Sequence, residues 1–239
     1  MPPPAIPAGR WVSQTGSDAA PGTFAQPYAT IQYGWSQCLP GETLWVKDDL
    51  TPTTFSSARN GIVLTASGTA GNPITLRGYP AGTRRVIDMT NHDHDTTGGT
   101  GVQVAANYAV IRDLHFTEIK APLRTEPYID GINWRGSNGQ LINCIVSEVE
   151  GRGVTIGEGG GTATNMLVQD CDIYNCYDPR SASAYGNADG LQLFGGGTGI
   201  VIERNRIWNC SDDGIDMFYQ TAAVTTQDNW IWKVSRIRP

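Results

Sequence analysis

Short runs of alternating apolar and polar residues recur along the chain. Five segments align: NYAVIRDLHFTEI from Asn107, NGQLINCIVSEV from Asn138, TNMLVQDCDIYNC from Thr164, TGIVIERNRIWNC from Thr198 and AVTTQDNWIWKV from Ala223. In register, Phe116, Val146, Ile173, Ile207 and Ile231 form an apolar column that steps by 30, 27, 34 and 24 residues. Ile119, Val149, Cys176, Cys210 and Val234 form a second column with the same steps. Between them lies another repeated strand, GVQVAA, GINWRG, GVTIGEG, GLQLFGG and GIDMFYQ, opening at Gly101, Gly131, Gly153, Gly190 and Gly214. Period-2 alternation bounded by glycine or polar turns is a strand signature. A repeat with a base of about 22 to 24 residues and no helix implies stacked coils. The pattern predicts an all-β fold, a right-handed single-stranded parallel β-helix (a β-solenoid), with two strand registers per coil and coils about 4.8 Å apart.

Alternation assigns the faces. Val102, Ile132, Val154, Leu191 and Ile215 point inward, as do Val104, Trp134, Ile156, Leu193 and Met217, while Gln103, Asn133, Thr155, Gln192 and Asp216 are expected to face solvent. Tyr28, Ile31, Trp35 and Cys38 recur at helical spacing before Pro40-Gly41 and the strand Thr43–Val46. This predicts a short N-terminal capping helix over the first coil, whose open edge would otherwise invite pairing. The expected organisation is a leader over 1–11, cap helix and first strand over 12–47, and a single coil domain over 48–239. No amphipathic cap follows WIWKV, so the expectation is a C-terminally incomplete stack or one continued by another chain.

Composition narrows the function. Of 239 residues, 29 are Gly and 14 Pro, which disfavours long helices, and 39% are hydrophobic, enough for a continuous core. A net charge of −6 argues against nucleic acid as a partner, because phosphate binding needs clustered Lys and Arg. No apolar run approaches the roughly 20 residues of a membrane span, so no membrane role is expected, and MPPPAIPAGR has no apolar core of a signal peptide. The five cysteines, at 38, 144, 171, 176 and 210, fit no CxxC metal pattern. Cys144 and Cys171 share a column, as do Cys176 and Cys210, which reads as buried free thiols.

Four aspartates stand apart. Asp189 precedes Gly190 and Asp213 precedes Gly214, so they occupy one position on consecutive coils; Asp216 points outward from the same strand and Asp212 sits in the turn beside it. Close carboxylates raise one another's pKa. Neither NADGLQLF nor SDDGIDMF contains a Lys or Arg to balance them, so a bound cation is the economical solution. Oxygen ligands favour Ca2+ over Zn2+. The ordinary alternative is a solvated Asp-Gly turn in each coil; it accounts for Asp130-Gly131 but does not require Asp212 or Asp216.

GNADGLQL (186–193) and SDDGIDMF (211–218) resemble the calcium-site motifs of polysaccharide lyase family 9, pectate lyases with a right-handed parallel β-helix. The opening WVSQTGSDAAPGTFAQPYATIQ, GTAGNPITLRGYP and YAVIRDLHF are similar to the first coils of those enzymes. The resemblance covers essentially the whole chain and about the N-terminal half of a family catalytic domain. It implies that Asp189, Asp212, Asp213 and Asp216 ligate Ca2+, that the substrate is an acidic polysaccharide such as polygalacturonate, that the reaction is β-elimination, and that the protein works extracellularly. The family's base is a lysine one coil beyond Asp216 in the outward column, at or past residue 239. No catalytic base is therefore assigned, weak or no turnover is expected, and Lys233 belongs to the other register.

Around the carboxylates, Gln192, Arg135, Arg152 and Tyr219 are candidate substrate-binding residues; Arg135 and Arg152 could grip uronate carboxylates or be solvated. Tyr185, Phe194 and Tyr219 could stack on sugar rings or pack beneath a loop. Asn91–Asp95 reads as a surface loop. Two other classes remain open: a polysaccharide-binding or structural β-helix such as a phage tail-spike segment, and a glycoside hydrolase using Asp189 and Asp213 as paired carboxylates.

Overall fold

The computed structural model describes residues 5–92, 98–120, 129–157, 163–178, 188–195 and 197–234. The chain enters through β1 (Arg10–Val12), helix α1 (Ile31–Ser36), β2 (Thr43–Val46) and β3 (Asn60–Leu64). Each of the next five coils carries three strands, and the last described coil carries two. They are β4 (Ile74–Gly78), β5 (Arg85–Asp88), β6 (Gly99–Val104); β7 (Ala109–Arg112), β8 (Leu114–Thr117), β9 (Ile129–Trp134); and β10 (Gln140–Ile142), β11 (Ile145–Val149), β12 (Arg152–Ile156). Then follow β13 (Leu167–Gln169), β14 (Asp172–Cys176), β15 (Leu191–Leu193); β16 (Ile200–Glu203), β17 (Arg206–Cys210), β18 (Ile215–Asp216); and β19 (Val224–Gln227), β20 (Trp230–Val234).

Equivalent strands of successive coils pair in parallel and build three sheets. Sheet A runs β1-β2-β4-β7-β10-β13-β16-β19, sheet B β5-β8-β11-β14-β17-β20, and sheet C β3-β6-β9-β12-β15-β18. This is the right-handed parallel β-helix that the periodicity predicts, with one difference: three strands per coil, where the pattern suggested two. From β7 onward the strands of sheets A and B are separated by a corner of only one or two residues, so they read as a single run. Those corners, Asp113, Asn143, Asp170, Arg204 and Asp228, all have φ between 50° and 57°. Asp and Asn tolerate this left-handed conformation better than most residues, and they also bond up the stack, as when Asn143 Nδ2 donates to Asp113 Oδ1 at 2.7 Å.

The interior follows the expected columns. Phe116, Val146, Ile173, Ile207 and Ile231 lie in register, and so do Ile119, Val149, Cys176, Cys210 and Val234; in the last described coil Ile231 is exposed and Val234 half-buried. All five cysteines are free and buried. Trp134 is a core residue. Met217 is a correction: it lies beyond the end of β18 and is exposed, not inward. The repeated glycine at or near the start of each sheet C strand is fixed by close approach. A Cβ on Gly153 would stand 2.6 Å from both the Gly190 carbonyl oxygen and an Ile173 methyl.

The helix is shorter than the apolar spacing suggested. Thr30 caps it by accepting from the Tyr33 N–H, and Asp18 fixes the cap by accepting from the Thr30 hydroxyl at 2.8 Å. Its Ile31, Gly34 and Trp35 are buried, with Tyr28 and Cys38 buried just outside it. The strand β1 begins at Arg10, so sheet A starts inside the stretch expected to be a leader. Among the described residues no helix is long and apolar enough to cross a membrane.

Candidate metal and substrate site

Sheet C carries the site on its outer face. Gln103, Asn133, Thr155, Gln192 and Asp216 stack in register, one per coil. They do point away from the core, yet Asn133, Thr155 and Gln192 are buried. The expectation of solvent exposure is thus corrected: alternation fixes which way a side chain points, and what packs over it is a separate matter. A second column stands in the position before each glycine. Thr100 pairs with Asp130 and Asp130 with Arg152, and the backbone continues the stack, the Gly153 N–H donating to the Asp189 carbonyl and the Gly190 N–H to the Asp213 carbonyl.

The carboxylates converge at the end of these columns. Asp189, Asp212 and Asp213 each place a carboxylate oxygen within 4.8 Å of the others. Asp189 is buried and accepts the Asp213 backbone N–H at 3.1 Å. The fourth predicted member, Asp216, lies outside that trio, and Gln192 joins it to the group: Gln192 Nε2 donates to Asp216 Oδ2 at 2.9 Å and to Asp189 Oδ2 at 3.2 Å. Burial, opposed by the Asp213 N–H and reinforced by the charges of Asp212, Asp216 and Asp213, pushes the Asp189 carboxyl up to about 7. Burial and the charges of Asp212 and Asp216 raise Asp213 as well. A site that resists its own negative charge, built from hard oxygen donors, fits a divalent cation such as Ca2+.

The flanking candidates divide. Arg152 is buried, its Nε donating to Asp130 Oδ1 at 2.7 Å and its Nη1 to Gln192 Oε1 at 2.6 Å. It lies behind the carboxylates with its guanidinium turned to protein, neither solvated nor presented at the surface. Asp130 is buried too, so its Asp-Gly pair is not a solvated turn. Arg135 is half-buried, with Nε donating to Asn133 Oδ1 at 3.0 Å. Tyr219 is 70% exposed and meets Phe218 and Phe194 with ring centroids 4.2 and 5.9 Å away, an aromatic group adjoining Asp216 in sequence.

Tyr185 and Asp93–Asp95 lie outside the described residues. His92, at the edge of the predicted surface loop, is buried against Phe55 with Nε2 2.9 Å from the Ser57 carbonyl. Lys233 stands in β20 of sheet B at a left-handed corner, φ 51°, outside the Gln192–Asp216 column. Sequence reasoning missed the Asp130–Arg152 ion pair. Its signal was present: aligning the residue before each repeated glycine reads Thr100, Asp130, Arg152, Asp189, Asp213.

Comparison with known proteins bears on the chain as a whole. The chain is 30% identical over 228 residues to the pectate lyase PEL9 of Emericella nidulans, covering 91% of this chain and 51% of that protein. It therefore spans about half the length of that relative. Among solved structures, a rhamnogalacturonan lyase superposes with TM-score 0.79 at 21% identity, over 95% of this chain and 57% of the other. The pectate lyase Pel9A superposes with TM-score 0.75 at 21% identity, over 97% of this chain and 56% of the other. At such identities these two superpositions speak to the fold. The family described as "Pel9A-like, right handed beta helix region" matches residues 10–238, and the chain belongs to it.

Proposed function

We propose that this chain is the calcium-binding part of a polysaccharide lyase that cleaves a uronate-containing polysaccharide, of the polygalacturonate type, by β-elimination outside the cell. The observation that carries this reading is the convergence of Asp189, Asp212 and Asp213 on the outer face of sheet C, with Asp216 tied to them through Gln192. These four would hold Ca2+, which when bound offsets a uronate carboxylate and makes the neighbouring C–H more acidic. In the elimination a base takes that proton, the electron pair forms a C=C bond and the glycosidic C–O bond breaks, leaving an unsaturated uronate end. The base is not assigned to a residue of this chain.

The chain's own residues set up binding. Tyr219 and Phe218 are exposed, follow Asp216 closely in sequence and would offer apolar ring surface to a sugar. Arg135, only half-buried, would offer a cation to a uronate group, while Arg152 and Gln192 are buried. Calorimetric titration with Ca2+ tests the site: binding heat is expected for the parent and at least about a hundredfold weaker binding for Asp213→Ala, as when a direct ligand is lost. Absence of heat in the parent overturns the calcium reading. Incubation with polygalacturonate then separates chemistries. New ultraviolet absorbance from unsaturated ends supports elimination, new reducing ends without it mean hydrolysis by paired carboxylates, and binding without cleavage assigns this chain a binding role.

A further inference from the structure

A buried arginine that faces neither solvent nor the carboxylates directly needs a reason to be there. Arg152, Asp130 and Gln192 are at most 3% exposed, and Asn133 and Thr155 are fully buried around them. Asp130 is held from three sides: Arg152 Nε and the Thr155 hydroxyl each donate to Oδ1 at 2.7 Å, and Asn133 Nδ2 donates to Oδ2 at 2.8 Å. The guanidinium is therefore anchored at one end. Its other end donates to Gln192 Oε1, and the Gln192 nitrogen spans Asp189 and Asp216.

We propose that Arg152, anchored by Asp130, is a positioning residue that locks the Gln192 amide in one orientation and so presets Asp189 and Asp216 for a cation. This rests on the calcium reading of the site. The logic is that of donors and acceptors. A guanidinium has only donors and an ionised carboxylate only acceptors, whereas an amide has one of each at its two ends. Gln192 satisfies both neighbours in one orientation alone. Flipped, it would set its NH2 against the guanidinium and its oxygen against two carboxylates. In the observed orientation its two N–H bonds match two carboxylates, one each, and its oxygen is withheld from the cation. Lysine at 152 could not replace this function, because a single ammonium nitrogen cannot reproduce the planar fork that spans Asp130 and Gln192.

The test uses the full chain with Arg152→Lys, Gln192→Met and the double variant, with Ca2+ as the probe. Each single variant is expected to weaken calcium binding about tenfold, the usual scale for partners that orient ligands. The double variant should bind like Gln192→Met alone, since both changes act through one amide. In metal-free protein, the Gln192 side-chain NH2 should give one slowly exchanging NMR pair, and Arg152→Lys should speed its exchange. Unchanged calcium affinity in Arg152→Lys, additive losses in the double variant, or an NH2 signal indifferent to Arg152 each overturn the proposal. If Arg152→Lys does not fold, Asp130→Asn carries the same measurements by loosening the anchor while keeping Arg152. If the parent binds no calcium, the calcium reading falls alone, and the metal-free NH2 measurement still decides whether Arg152 orients Gln192.

Discussion

The outer faces of sheets B and C obey one stacking rule and use it for opposite ends. On sheet B, Tyr174, Trp208 and Trp232 occupy one position on three coils, with ring centroids 4.3 and 4.9 Å apart and planes within 12° of parallel. Beside them Asp172 is held by two arginines, with Arg84 Nη1 at 2.6 Å and Arg206 Nε at 2.5 Å. On sheet C the equivalent stacking brings Asp189, Asp212 and Asp213 together. Coil repetition multiplies whatever it repeats. Rings one coil apart attract, whereas carboxylates one coil apart repel, so sheet B is at ease as it stands and sheet C is not. An unfavourable cluster in an otherwise well-matched stack marks the place where a ligand is expected to supply the missing contact.

The largest expected effect lies in that cluster. Asp189 folded holds its proton up to about pH 7, against an ordinary 3.8. The folded state therefore binds the proton more tightly than the unfolded chain, and stability of the metal-free protein falls as pH rises through that window. The loss is at most roughly 4 kcal/mol, and the raised Asp213 acts in the same direction. Urea unfolding in EDTA between pH 4 and 8 should show this decline, and Asp189→Asn should flatten it. Equal slopes in the two proteins would erase the electrostatic contrast between the sheets.

How much of this was legible follows from what stacking encodes. The inward columns were readable because period-2 alternation repeats in every coil, and Asp189 with Asp213 because both precede a repeated glycine. The third strand was hidden because a corner of only one or two residues, Asp113 or Asn143 with Cys144, separates sheets A and B, too little to break an apolar run. Arg152 and Gln192 were placed on the correct face and wrongly at the surface. Burial of an outward position depends on segments packed over the sheet, and alternation within the strand says nothing about them. The exposure of Met217 has a local cause, since β18 ends at Asp216 and the inward pattern stops with it.

The middle effect belongs to the aromatic ladder. Trp208 is packed between Tyr174 and Trp232, so Trp208→Ala removes two stacking contacts and part of a large apolar surface, at a cost of about 2 kcal/mol. The unfolding midpoint should fall while calcium affinity stays unchanged. A loss of calcium binding in this variant would mean that the two faces are coupled and not independent.

The smallest effect is expected from Arg206. Its side chain is 58% exposed, and the Asp172 carboxylate it grips is also held by Arg84. Arg206→Met therefore leaves no orphaned charge, and although Asp172 is buried, a pair whose arginine is largely exposed is worth about 1 kcal/mol or less. Arg152 and Arg206 stand on consecutive sheets and both pair with an aspartate, so the pairing itself does not separate them. What does is depth and redundancy: Asp172 has a second arginine at the surface, while the Asp130–Arg152 pair is buried at both partners. Chemical unfolding of Arg206→Met should shift the midpoint slightly, and the shift should shrink further in high salt. A shift as large as that of Trp208→Ala would show sheet B to depend on its ion pairs as much as on its rings.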